Sequence, residues 1–427
     1  MIINWMAIFC IILGIIGIKN EKTKSNPITI FSFLWGIIIF LSNMKLYTLY
    51  EANIETYKYM MFGVISFFVG YYFFRIILNN KVLVIDKKIK EYKIRKKLCY
   101  ILLVLCFAFI VKNISINRDV LFRDGYNLAS VQTAQQENDL SSTGIENAIS
   151  FLIVNPMYIS LNIVIIADFL LGDKDLRLFL CLICLNLGRT ITSGGRQAFI
   201  QFFLILLVMM SFSQTYKIVE KKIIEKLKKK KTNRVIILVG IVVLVLLSLS
   251  RSSNIVKTIY LDFAMQPYMF EYWMNTVNEM NNNAFGLSST MGFIYPILYV
   301  LKNFLHIFSD IPEFFAVIYD TNMFTIEKWI DIGYTLKANA YVSIFWYLYY
   351  DWNLFGIIFG MFFLGIISNN IYTIAQKRTN IKNVSRYAMI ALMLFYSFGD
   401  MEFSKTNFAI AYIYIITIML KRKNERN

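Results

Sequence analysis

Two arginines, Arg189 and Arg196, stand in the stretch LNLGRTITSGGRQAF, where an apolar run breaks at a short turn of Thr, Ser and Gly and then resumes. Between residues 176 and 219 the chain carries no Asp or Glu. A guanidinium in an apolar segment is costly unless something neutralises it. With no acid nearby in sequence, the partner is either a remote carboxylate or a bound anion. Guanidinium groups grip phosphate through two parallel hydrogen bonds and stay charged at any working pH. The chemistry this pair suits is holding a phosphate or diphosphate.

Other candidates lie in two long polar segments, 112–147 and 251–353. Arg118, Arg123 and Arg251 add positive charge there. Arg251 also fits a residue that marks the end of a span and snorkels to lipid phosphate. The second segment holds the acids Asp262, Glu271, Glu279, Asp310, Glu313, Asp320, Glu327, Asp331 and Asp351. Any of these could serve as a general base if its surroundings tuned it, and sequence alone does not choose. His306, the sole histidine, is a natural base and equally a polar-face residue of an interfacial helix reading KNFLHIF. Rings crowd YLDFAMQPYMFEYW, which contains Tyr268, and YVSIFWYLYYDW. Such rings suit stacking on sugars or an interfacial aromatic belt. No D-x-D or H-x-x-H cluster calls for a metal, and no cofactor is indicated. Cys181 and Cys184 have C-x-x-C spacing, but inside an apolar helix that reads as packing.

The elements that must position these residues follow from composition. Of 427 residues, 57% are hydrophobic and mean hydropathy is +0.55. Apolar runs lie near residues 2–18, 28–42, 59–78, 98–111, 148–171, 178–192, 198–212, 235–250, 354–374, 387–398 and 408–420. These match the ~20 residues needed to span a bilayer. The fold class expected is therefore all-α, a polytopic integral membrane protein with about eleven transmembrane helices (ten to thirteen) in one membrane domain, 1–427. The net charge of +17 resides mostly in loops. The lysine-rich segments 79–97 and 217–234, the basic segment 376–386 and the tail 421–427 all fall inside under the positive-inside rule. This sets the N-terminus out and the C-terminus in, and it excludes nucleic acid as the reason for the charge. Segments 112–147 and 251–353 become outer loops. The apolar pieces 291–308 and 340–350 of the larger loop are expected to lie at the interface or to re-enter, because Lys302, His306, Lys337 and Asn339 interrupt them.

At this point the pattern resembles the Wzy family of O-antigen and capsular repeat-unit polymerases. The hairpin TSGGRQAF resembles that family's small-residue-then-arginine turn opening an apolar span. A large outer loop precedes the last few spans. The stretch NAYVSIFWYLYYDWNLFGIIFGMFFLGI, starting at Asn339, resembles its polar-start, Asp-aromatic-Gly helix, with Asp351 as the acid and Trp352 as the aromatic. Asn353 departs from the pattern, where Gly is commoner, and Gly356 follows. The similarity covers roughly residues 178–374.

The resemblance implies a glycosyltransferase of the bacterial cytoplasmic (inner) membrane that uses polyprenyl diphosphate-linked oligosaccharides and needs no cofactor. It implies Arg196, Arg189 and Asp351 as catalytic residues, with Arg251 and Arg123 assisting at the diphosphate. Asn339, His306 and Tyr268 are the further substrate-binding candidates. Membrane lipids and a chain-length regulator are the expected partners. Two alternatives stand beside it. An O-antigen ligase-like transferase shares the architecture, and a lipid-linked glycan flippase would need more charge within its spans than Arg75, Asp168 and Arg189 provide.

Overall fold

The computed structural model describes residues 1–73, 75–76, 91–116, 118–121, 144–218 and 254–422. In chain order its helices are α1 (Ile2–Asn20), α2 (Pro27–Asn43), α3 (Ile54–Phe73), α4 (Lys96–Ile116), α5 (Arg118–Leu121), α6 (Gly144–Ile149), α7 (Asn155–Leu171), α8 (Leu176–Ser193) and α9 (Gln197–Ile218). There follow α10 (Ile255–Ala264), α11 (Gln266–Met280), α12 (Leu287–Asn303), α13 (Glu313–Glu327), α14 (Ile344–Lys377), α15 (Ile381–Tyr396) and α16 (Thr406–Thr417). The strands β1 (Tyr92–Ile94), β2 (Ile330–Gly333), β3 (Leu336–Ala338) and β4 (Leu420–Arg422) form two antiparallel ribbons, β1 with β4 and β2 with β3.

Among the described residues, five helices are long and apolar enough to cross a bilayer: Ile2–Asn20, Lys96–Ile116, Glu146–Leu171, Leu176–Ser193 and Ile344–Lys377. Shorter apolar helices accompany them at Pro27–Asn43, Gln197–Phe212 and Thr406–Thr417. Their outward surfaces are greasy: on α4, Ile101, Val104 and Val111 are 66%, 68% and 64% exposed. In water such stripes would drive aggregation. In lipid they are the ordinary solvent-facing surface, and the helices satisfy their own backbone there. The chain is a helical membrane protein.

The described residues fall into two compact units. The first comprises Met1–Lys88, Val256–Ile374 and Met393–Ile410. In it α2 begins where the sequence SNPIT dictates: the Asn26 side chain accepts from Thr29 N at 2.9 Å. Pro27 at the first turn forgoes only an N–H that would lack a helical partner. Helix α14 is broken at Trp352 and Asn353, with φ 50° and ψ −138° at Asn353. Its two limbs fold back on each other. A Cβ on Gly360 would lie 2.5 Å from Leu348 Cδ2, and one on Gly356 would strike the Leu348 carbonyl. Along a straight helix, residues 348 and 360 would stand about 18 Å apart. The segment 344–351 is thus a short limb lying along the start of 354–377. The longer limb crosses α3 closely, and Asn369 Nδ2 donates to Tyr71 O at 2.5 Å.

Two acids in this unit hold helix N-termini that are remote in sequence. Asp351 is buried, and its carboxylate accepts from Ser288 N at 2.9 Å and Ser289 N at 3.3 Å at the head of α12. Glu271 receives Asn53 N at 2.5 Å and Thr56 Oγ1 at 2.9 Å at the head of α3. The first turn of a helix has free N–H groups and a positive dipole end, so a carboxylate is the natural partner.

The second unit comprises Ile89–Ile255, Ala375–Leu392 and Ala411–Asn427. Helices α4, α7, α8 and α9 form its bundle. At one end the turn between α7 and α8 is tied by charge. Asp173 lies 3.4 Å from Lys93 and 3.3 Å from Lys96, and Asp175 caps α8 through Leu178 N at 3.2 Å. In the interior, Asn162 on α7 and Asn186 on α8 exchange amide hydrogen bonds of 3.1 and 2.7 Å. That reciprocal pair satisfies two buried amides that hydrocarbon would penalise.

Candidate functional site

At the opposite end of the second unit, the path into α7 is widened. The chain makes a π-helical turn (Ser150–Val154), with Asn155 N bonding to Ser150 O rather than one residue later. Pro156 explains it. Proline has no N–H for the carbonyl four residues back, Leu152, and its ring crowds that carbonyl. The orphaned Leu152 O is taken by the Tyr414 hydroxyl at 2.8 Å. Wider turns of this kind shift side chains out of α register and occur often at functional sites.

The widened turn opens a polar cavity of about 240 Å³. It is lined by Phe109 and Asn113 of α4, Glu146 and Asn147 of α6, Ser150, Asn155 and Tyr158, and Arg189, Thr192 and Ser193 of α8. The Arg189 guanidinium lies 4.3 Å from the centre of the Tyr158 ring. The ring is itself held in place, since Tyr158 OH donates to Cys106 O at 3.3 Å. A guanidinium over an aromatic face keeps its charge and its plane while its edges remain available for hydrogen bonds. Glu146 forms an ion pair with Lys112, so the acid at the rim already has a cation. Around one stacked arginine the wall is therefore amide and hydroxyl. It can receive an anion at the guanidinium and the hydroxyls of a polar ligand beside it.

The turn after Arg189 is short. Helix α8 ends at Ser193, Gly194 takes φ 62°, and Arg196 stands half-buried at the head of α9, where its carbonyl accepts from Ile200 N at 3.1 Å. Arg196 belongs to the same unit as Arg189 but is not part of the cavity lining. Arg123 and Arg251 lie outside the described residues.

The remaining sequence candidates belong to the first unit. Asp351 is the α12 anchor already described, both oxygens engaged by backbone amides. Asn339 is half-buried beyond β3, with its amide 3.5 Å from Glu327 O. His306 is exposed in the loop after α12, at φ 50°. Tyr268 on α11 packs its ring against Tyr50, centres 5.3 Å apart. Of the other acids in the large loop, Asp310 pairs with Lys302, Asp331 with Lys337, and Asp262 accepts from Tyr341 OH at 3.0 Å.

Sequence reasoning did not reach Tyr158, Asn155 or Asn113. The signal for the first two was present in Asn155–Pro156, a polar residue and a helix breaker inside an apolar run. It also passed over Asp400, Glu402 and Lys405, which stand in the short segment GDMEFSK between the last two apolar runs. All three gather in the first unit. Lys405 Nζ lies 2.6 Å from Asp400 Oδ2 and 3.2 Å from Glu402 Oε1, and Tyr347 OH donates to Asp400 Oδ1. Burial raises the Glu402 carboxyl above its ordinary value although Lys405 works to lower it. Burial acts to lower the Lys405 ammonium, but Asp400 and Glu402 outweigh it and hold it above its ordinary value.

No protein-family model, curated protein or solved structure matches the chain.

Proposed function

We propose that this chain is a membrane glycosyltransferase that joins oligosaccharide repeat units carried on a polyprenyl diphosphate, in the manner of the Wzy-type polymerases it resembles. The observation that carries the reading is Arg189 stacked on Tyr158 within the amide- and hydroxyl-lined cavity. Arg189 would bind the diphosphate through the edges of its guanidinium and stabilise the charge that grows as the sugar–phosphate bond breaks. Asn113, Asn147, Asn155 and Ser150 would take the phosphate oxygens and hydroxyls of the first sugar. Arg196, at the head of α9, would add a second positive charge as the donor approaches.

The lysine distribution supports about eleven crossings with the N-terminus out and the C-terminus in. That orientation turns the Arg189 cavity outward, the side on which lipid-linked repeat units are polymerised in a bacterial cytoplasmic membrane. The folded-back limb 344–351 would then be a re-entrant segment of the outer face. A chain-length regulator is the partner this reaction calls for.

The test uses membranes containing the full chain, supplied with a lipid-linked repeat unit. Arg189→Ala is expected to lower polymer formation by about 10²–10³-fold, the usual cost of removing one preorganised electrostatic contact, at normal protein level. Arg189→Lys should rescue little, because an ammonium neither forks to phosphate nor stacks in the same plane. An unchanged polymer-length distribution in Arg189→Ala refutes the assignment.

A further inference from the structure

The first unit contains a buried charge cluster that packing alone does not require. Asp400 and Glu402 are each 5% exposed, yet one lysine serves both. Taking charges out of water is costly, and an ion pair recovers that cost only when its members are matched and fully hydrogen-bonded. Here two carboxylates face one ammonium. Asp400 is the better satisfied, with Lys405 on one oxygen and Tyr347 on the other. Glu402 shares the same ammonium less closely, through Oε1 at 3.2 Å. The surroundings are otherwise apolar: Phe403 stacks on Phe293 of α12, ring centres 5.4 Å apart, and a Cβ on Gly292 would lie 2.5 Å from Lys405 O. The charged and titratable groups that face Glu402 are thus Asp400, Lys405 and Tyr347.

A second observation points to a ligand at the same place. Ser343 N approaches Gly399 O at 3.4 Å, which puts Ser343 beside the start of this segment. Its hydroxyl is fully buried and has no hydrogen-bond partner among the described residues. A buried hydroxyl is rarely left unpaired unless a water, ion or substrate group supplies the bond.

We propose that Glu402, set by Lys405, Asp400 and Tyr347, is the general base that accepts the proton of the sugar hydroxyl attacking the lipid-linked donor. This rests on the glycosyl-transfer reading above and adds to it the residue that handles the proton. In the step, the acceptor oxygen forms a bond to the anomeric carbon of the donor sugar, and the hydroxyl proton passes to the Glu402 carboxylate. The sugar–phosphate bond breaks, and its electron pair leaves with the polyprenyl diphosphate. Lys405 keeps the base ionised at working pH. Burial strengthens it as a base, which raises its catalytic usefulness.

The experiment measures polymer formation from a defined lipid-linked repeat unit, as a function of pH, in membranes carrying wild-type, Glu402→Gln and Lys405→Met chains. The expected result is a wild-type rate that falls on the acid side as Glu402 takes up a proton. Glu402→Gln should be slower by about 10²-fold or more and should lack that acid limb. Lys405→Met removes the cation, so the acid limb should move to higher pH. A Glu402→Gln chain with wild-type rate and an unchanged acid limb overturns the proposal. Should that variant fail to accumulate, an unmoved acid limb in Lys405→Met overturns it equally. Both outcomes leave the glycosyl-transfer reading standing. Wild-type membranes that make no polymer from the donor sink that reading, and the base with it.

Discussion

Asp351 offers the sharpest test of whether a conspicuous acid acts on substrate or on structure. Its two carboxylate oxygens meet Ser288 N and Ser289 N, and Ser288 is fully buried while Ser289 is nearly so. Asp351→Ala leaves two buried N–H groups without an acceptor, each costing about 1–3 kcal/mol, and removes a charge from the positive end of the α12 dipole. A loss of about 3 kcal/mol is a moderate expectation from these contributions. By the scaling for domains of 150–250 residues, that lowers the melting temperature by about 6–12 °C. Asp351→Asn keeps one carbonyl oxygen for Ser288 N and should lose about half as much. The assay pairs thermal unfolding of detergent-purified chain with polymer yield. If Asp351 anchors α12, polymer yield falls in step with stability across Asn and Ala. Abolished polymer in Asp351→Asn at unchanged melting temperature would refute this and return Asp351 to the chemistry. An unchanged melting temperature in Asp351→Ala would show that the cap contributes nothing.

Other expectations follow from single contacts. Asn353 holds φ 50° and ψ −138°, a conformation that glycine adopts freely and other residues do not, so Asn353→Gly should raise the melting temperature, relieving on the order of 1 kcal/mol. Pro156→Ala restores an N–H that can compete with Tyr414 for Leu152 O. The π turn should then revert toward α register, with polymer yield falling more than stability, and Tyr414→Phe should cost clearly less in the Pro156→Ala background than in wild type. Removing one member of the Asn162–Asn186 pair, as in Asn162→Leu, should cost about 1–3 kcal/mol, whereas the double Leu variant should recover most of it in chemical-denaturant unfolding. At the turn 172–175, burial pushes the Asp173 carboxyl up, but hydrogen bonds from Lys96 and Lys93 outweigh it and hold it below its ordinary value. Its stabilising contribution is therefore present above about pH 4 and lost as pH falls through the folded value. Asp173→Asn should flatten the acid limb of the stability–pH curve, and an unaltered limb would contradict the assignment.

What could be read along the chain was set by local rules. Greasy runs of bilayer length announce membrane helices, because lipid leaves the backbone no other partner. The turn at residues 194–196 was legible from its glycines, and the cost of Arg189 from the missing acids around it. The sequence also marked Asn353 as an odd residue in its place, and the reversal of α14 there gives the oddity a shape.

Tertiary structure decided which polar groups meet. Nothing in the spacing of Asp351 and Ser288 says that one caps the helix begun by the other, since a helix N-terminus accepts any carboxylate that folding delivers. Nor does the spacing show that Arg189 lies over Tyr158, or that the hydroxyl of Tyr414 completes a carbonyl orphaned by Pro156. The charge cluster at Asp400, Glu402 and Lys405 reads in sequence as an ordinary polar connection between two spans. Its meaning comes from burial, a property of everything packed around it. Sequence determined the solvent this protein lives in and where its costly charges fall. Only the tertiary fold decided which of those charges are satisfied by structure and which are left for chemistry, because the partners that settle it come from segments dozens to hundreds of residues away.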